Sequence, residues 1–233
     1  MTSTLEGHIS KTVDQALTEL RTHAVEMGGL VIDQVGSAVR ALLERDAPLA
    51  ELVLAREPAI NDYESRIDRE SLTFIALHQP VASDLRVARA ISRAALELER
   101  VGDESKKIAR SALKIGAIAP HDPVVAVARS LRQMATLSAA QLRSAVRALD
   151  EANPTLARDV LDRDKELDEE FASALRQVMS FVMEDQQFLR ATVDTVFALK
   201  GLERIGDHAK NIAEQVLYMV EGERTEKGMA ANR

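Results

Sequence analysis

The sequence predicts an all-α fold: six long antiparallel helices forming two tandem, sequence-related three-helix bundles. Three observations carry the prediction. Aromatic residues make up only 3% of the chain and Trp is absent, while Ala, Leu, Arg and Glu recur, a bias that favours helices over sheets. Apolar residues return every three or four positions, as in Leu96, Val101 and Ile108 or in Val193, Phe197, Leu202, Ile205, Ile212 and Val216. The chain is also written twice. "SAVRAL" stands at Ser37 to Leu42 and again at Ser144 to Leu149, an offset of 107. "LAELVLAREPAIN" from Leu49 lies over "LARDVLDRDKELD" from Leu156 at that same offset, and "ELERVGDESKKIA" from Glu97 lies over "GLERIGDHAKNIA" from Gly201 at an offset of 104.

Breakers cut each copy into three. The first helix, about 10 to 45, ends at the turn Asp46 to Pro48, and the second, about 49 to 78, ends where Gln79 and Pro80 stop it. Ser83 or Asp84 caps the third, about 83 to 115. "GAIAPHDP", Gly116 to Pro123, reads as a linker. The fourth helix, about 122 to 151, ends at Ala152 to Pro154; the fifth, about 155 to 183, ends at Glu184 to Gln187; the sixth runs from about 187 to 221. Short turns make successive helices antiparallel neighbours. The expected domains are therefore a bundle at 1–117, a bundle at 118–222 and a polar tail at 223–233.

Composition excludes several functions. A net charge of −7 argues against a nucleic-acid surface. The absence of cysteine removes disulfides, thiolate metal sites and cysteine nucleophiles, and suits a reducing compartment. The uncharged run Ser71 to Ser83 is far shorter than the roughly 20 apolar residues of a membrane span. "MTSTLEGHIS" lacks the basic start and apolar core of a secretory signal. The expectation is a cytoplasmic protein that meets membranes only through partners.

Chemistry points to the repeated E-R-(Val/Ile)-G-D. Glu203 and Asp207, and Glu99 and Asp103, each stand four apart, so like charges share a helix face and repel by a few tenths of a kcal/mol. Antiparallel pairing brings Asp164 and Asp168 up to Glu203 and Asp207. In the first copy the repeat alignment offers Glu57 and Asn61 to Glu99 and Asp103, while counting from the hairpin turn favours Glu64 opposite Glu99. Gathered carboxylates require a counter-charge, and an all-oxygen donor set suits hard cations such as magnesium, calcium, manganese or iron. Gly206 would make room for a close neighbour or an ion. The competing reading is a solvated acidic face balanced by Arg100, Arg204, Lys106, Lys107 and Lys210.

The histidines make poor catalysts on this reading. His208 points about 100° away from Asp207 and suits a supporting or surface role; His78 and His121 sit beside prolines near turns; His8 and His23 have no companion in sequence. The Glu-x-x-His pair of di-iron bundles is absent. "MGGLV" at 27 to 31 lacks the lysine and strand of a phosphate loop, so Gly28 and Gly29 read as a tight helix contact or a kink.

The doubled E-R-(Val/Ile)-G-D, "QPVASDLR" at Gln79 to Arg86 and the six-helix repeat together resemble the PhoU family, from about Leu5 to Glu221. The resemblance implies two three-helix bundles side by side in a cytoplasmic, usually dimeric regulator without catalysis. It further implies negative regulation of phosphate uptake and of the phosphate-starvation response, by coupling the Pst transporter, through its ATPase PstB, to the sensor kinase PhoR. Family E(D)xxxD motifs bind multinuclear metal clusters in some members, which maps onto Glu57, Asn61, Glu99, Asp103, Asp164, Asp168, Glu203 and Asp207; iron, manganese, magnesium, zinc and nickel are not distinguished. Asn61 departs from that pattern, and Glu104 stands where the other copy has His208. The alternative from a different class is a metal-dependent oxidase or hydrolase on a helical bundle, which would need an ion with open positions and a base.

Overall fold

A computed structural model of the chain describes residues 3–115, 122–184 and 189–222. All regular structure there is helical: α1 (Ser3–Glu44), α2 (Ala47–His78), α3 (Ala82–Ile115), α4 (Pro123–Ala126), α5 (Ala128–Glu151), α6 (Pro154–Asp162), α7 (Asp164–Glu184) and α8 (Leu189–Glu221). The expected first, second, third and sixth helices correspond to α1, α2, α3 and α8. The expected fourth and fifth helices are each interrupted by one residue, at Val127 and Arg163. The expected linker core at 116–121, the turn at 185–188 and the tail lie outside the described residues.

The first turn of each copy is built with the same parts. Arg45 and Ala152 take left-handed backbone, with φ of 57° and 48°, and end their helices. Asp46 then caps α2, its carboxylate accepting from the Leu49 amide at 2.9 Å, and Asn153 caps α6, accepting from the amides of Thr155 and Leu156 at 3.0 and 3.2 Å. A proline follows within the first turn of each new helix, where its missing N–H costs nothing.

α1, α2 and α3 pack on one another, and α5 to α8 form the second group; α3 lies against α8 and α1 against α5. One apolar core runs through both groups, with Met27, Leu42, Ile67, Ile91, Leu98, Leu131, Leu149 and Leu199 among its fully buried side chains. Each contributes about 1.5–3 kcal/mol by leaving water. Gly28 permits the α1–α5 approach, since a Cβ there would stand 2.8 Å from Val146 Cγ2, whereas Gly29 faces open space. Of the two readings of "MGGLV", the tight helix contact therefore applies to Gly28. A second tie joins the halves: the buried Arg45 guanidinium pairs with Asp122, whose other oxygen caps α4 by accepting from the Val124 amide at 2.8 Å. The described residues contain no helix long and apolar enough to cross a membrane.

Candidate functional site

The interior glycines of the repeated motif set the register of the carboxylates. A Cβ on Gly102 would meet Ile60 Cδ1 at 3.2 Å, and one on Gly206 would meet Leu167 Cδ2 at 2.4 Å. Ile60 and Leu167 are repeat equivalents, so the two copies dock their second and third helices at the same point. Each glycine makes room for a close apolar neighbour. These contacts fix how α2 packs on α3 and how α7 packs on α8 beside the motif carboxylates.

In the first half the counter-charge is a lysine. The Lys106 ammonium, largely buried, pairs with Glu57 from α2 and lies 2.6 Å from Asp103 one turn before it on α3. Burial alone would lower the affinity of Lys106 for its proton, but Asp103 and Glu57 outweigh it and hold the ammonium above its usual range. Glu99 sits one turn further along. Burial first, then the charges of Asp103 and Glu64, push its carboxyl above the ordinary Glu value. Glu57, from the repeat alignment, meets Asp103 through Lys106, and Glu64, from the hairpin count, lies near enough to Glu99 for its charge to act there. Asn61 is exposed.

The second half is arranged differently. Glu203 is half-buried and meets Lys200 at 2.5 Å, while the Lys200 ammonium also lies 5.3 Å from the centre of the Phe171 ring. Asp168 and Asp207 are exposed, and both make polar interactions. Asp164 opens α7, and its side chain lies outside the described residues. Lys210 occupies the position equivalent to Lys106 and is itself engaged. Among the described residues, no three His, Asp or Glu side chains stand together as a metal-holding group. In charge and donor type the first-half carboxylates fit a hard cation, and the Lys106 ammonium supplies that positive charge here.

His208 has a partner that sequence could not show. Its Nδ1 lies 2.8 Å from Glu97 Oε2 across the α3–α8 seam, and Asn211 Nδ2 donates to the same oxygen at 2.9 Å. Burial raises the Glu97 carboxyl, but the bonds from His208 and Asn211, with Arg100 nearby, outweigh it and leave it below the ordinary value. Glu104, which stands where the second copy has His208, is buried between Lys107 at 2.8 Å and Arg204 at 3.2 Å. Arg100, Arg204, Lys106 and Lys107 are therefore engaged with named carboxylates rather than spread over a solvated face. His23, without a companion in sequence, finds Glu70 at 2.8 Å on α2.

With this geometry in place, comparison with known proteins is decisive. The PhoU domain model matches residues 24–112 and 131–216, one match in each half. This chain belongs to the PhoU family. It is 40% identical over 94% of its length to a protein of Pseudomonas putida, of which the match covers 84%, named phosphate-specific transport system accessory protein PhoU homolog. It is 33% identical over 94% of its length to the PhoU of Escherichia coli, covering 89% of that protein. Among solved structures it is similar to the PhoU of Pseudomonas aeruginosa, with TM-score 0.83 and 38% identity over 90% of this chain and 99% of that one. The phosphate transport system regulatory protein PhoU of Streptococcus pneumoniae gives TM-score 0.82 and 27% identity, covering 92% of this chain and 99% of that one.

Proposed function

We propose that this chain is a non-catalytic accessory protein of phosphate transport. It restrains phosphate uptake and the phosphate-starvation response by docking, as a cytoplasmic homodimer, onto the ATPase of a phosphate-specific transporter (PstB) and onto a sensor kinase of the PhoR type. The observation that supports the reading is identity of 40% across 94% of the chain to a protein named as such an accessory. Deleting the gene in its host and following alkaline phosphatase at high phosphate tests it. Expression becomes constitutive under this reading; a fully phosphate-responsive deletion strain overturns it. Pull-down with the transporter ATPase and the kinase, and the mass in solution, test the partners and the dimer.

A second reading, that the carboxylate clusters hold divalent or trivalent metal ions, is favoured by one observation. Glu57 and Asp103 share Lys106, and burial with the charges of Asp103 and Glu64 raises the neighbouring Glu99 carboxyl. The residues that would hold the ion in the first half are Glu57, Glu99 and Asp103, with Asn61 or Glu64 completing the set. In the second half they are Asp164, Asp168, Glu203 and Asp207. Elemental analysis of the purified chain, and a thermal melt with and without manganese, test it. An ion bound only by the folded state raises the melting temperature, and Glu99→Gln with Asp103→Asn abolishes that rise in the first half. A metal-free chain whose melt ignores manganese overturns it.

A further inference from the structure

The seam between α3 and α8 is closed at one end and open at the other. At the closed end Arg89 lies 5.5 Å from the centre of the Tyr218 ring and donates to its hydroxyl at 3.2 Å, while Glu97 holds His208 and Asn211. At the open end two adjoining clefts of about 420 and 640 Å³ share Lys114, Asp194 and Phe197. Both fall in the size range of small-molecule sites. Gly201 stands where the closed end has Glu97, and a Cβ there would meet Ile108 at 3.2 Å.

The walls of the clefts are cationic. Lys107, Arg110 and Lys114 come from α3, and Arg190, Lys200 and Arg204 from α8; among the described residues the lining carboxylates are Glu104 and Asp194, the latter 3.8 Å from Lys114. Glu104 is already neutralised by Lys107 and Arg204. Arg110 and Arg190 make no ion pair among the described residues. The floor is apolar, with Phe197 63% exposed beside Leu189 and Val193. In a chain of net charge −7 this local excess is not an average property of the surface. Repeat alignment shows the same: Lys107, Arg110 and Lys114 stand where the closed end has Asn211, Glu214 and Tyr218, and Phe197 stands where it has Arg93.

We propose that this cleft binds a small polyanion carrying a planar ring, of the nucleoside polyphosphate class. Arg110 and Arg190, which make no ion pair among the described residues, take the phosphate oxygens, with Lys114, only 3.8 Å from Asp194, beside them; guanidinium forks and ammonium groups are suited to such oxygens. Phe197 takes the ring, gaining the stacking and burial it lacks in the free protein. Concave walls of one sign concentrate the field on a ligand of this size.

The test titrates the full-length chain with ATP, with inorganic tripolyphosphate and with vesicles of anionic phospholipid, at low and at physiological salt. ATP and tripolyphosphate are expected to saturate one site per chain, more weakly as salt rises. Arg110→Glu with Arg190→Glu leaves every named ion pair intact, so its melt should match the parent while its affinity for both probes falls by about tenfold or more. Phe197→Ala weakens ATP by a few-fold, at roughly 1 kcal/mol of ring contact, and leaves tripolyphosphate unchanged. Absence of saturable binding to the parent chain overturns the proposal, as does binding by the double variant equal to the parent's. Binding to vesicles but to neither soluble probe, lost in the double variant, assigns the cleft to a membrane surface and likewise overturns it.

Discussion

The two halves solve the same packing problem identically and the same charge problem differently. Arg45 and Ala152 end the first helices in the left-handed region, Asp46 and Asn153 cap the second, and Ile60 and Leu167 fill the space beside Gly102 and Gly206. Yet Arg45 is clamped on Asp122 where Ala152 only packs against the core, Lys106 gathers Glu57 and Asp103, and Glu97 and His208 face each other where Gly201 faces Glu104. Apolar interdigitation leaves no latitude, because a shift of one methyl group is felt throughout a close-packed interior. Polar partners at the surface and seam can be exchanged as long as each buried charge finds another, so function had room to differ between halves there.

The largest expected effect comes from the half-to-half clamp. Arg45→Ala leaves Asp122 buried and unpaired, and should cost about 3–5 kcal/mol in urea unfolding, whereas Ala152→Gly, its counterpart, should cost nothing. Next, Gly206→Ala forces Leu167 and Gln141 apart and should cost about 1–3 kcal/mol. Gly102→Ala, with the nearest atom at 3.2 Å, should fall within about 1 kcal/mol of the parent, because the helix-propensity gain offsets the contact. Equal costs at the two glycines would break the comparison.

Two carboxylates on α3 sharpen it through opposite pH responses. Glu97 is held below its ordinary value, so the unfolded chain binds the proton more readily. Its contribution is therefore present above the ordinary Glu pKa of 4.5 and lost as pH falls through the lower folded value. Glu97→Gln should then cost about 1–2 kcal/mol at pH 7 and little at pH 3, read by melts across that range. Glu99 is raised, so the folded chain binds the proton more readily and stability declines as pH climbs past 4.5 toward the folded value. Glu99→Gln should therefore stabilise the chain at neutral pH by a few tenths of a kcal/mol, the scale of a like-charge pair four apart on a helix. The gain should vanish in acid.

Helix identity and inter-helix register were readable because both rest on periodicity and duplication. The breaks at Val127 and Arg163 were not, since the apolar pattern runs through them undisturbed. At Arg163 the carbonyl accepts from Gln141 Nε2 at 3.1 Å and from the Glu166 amide at 3.2 Å, a tertiary arrangement with no local signature. Lys106 and Lys107 are adjacent and alike in sequence, but one helical step sends the first to Glu57 on α2 and the second beside Glu104. Phe197 and Val193 kept the apolar rhythm of α8 and were indistinguishable from core, although they face the open cleft. His208 needed the α3–α8 seam before Glu97 became its partner.

The interruptions at Val127 and Arg163 leave α4 only four residues long and α6 nine, whereas α1, α2 and α3 run unbroken for more than thirty. A short rod has a larger share of its amides at frayed ends, outside the repeating hydrogen-bond ladder. Deuterium should therefore enter the backbone of α4 and α6 well before it enters α3, and a protease meeting the native molecule should make its first described cuts in the second copy.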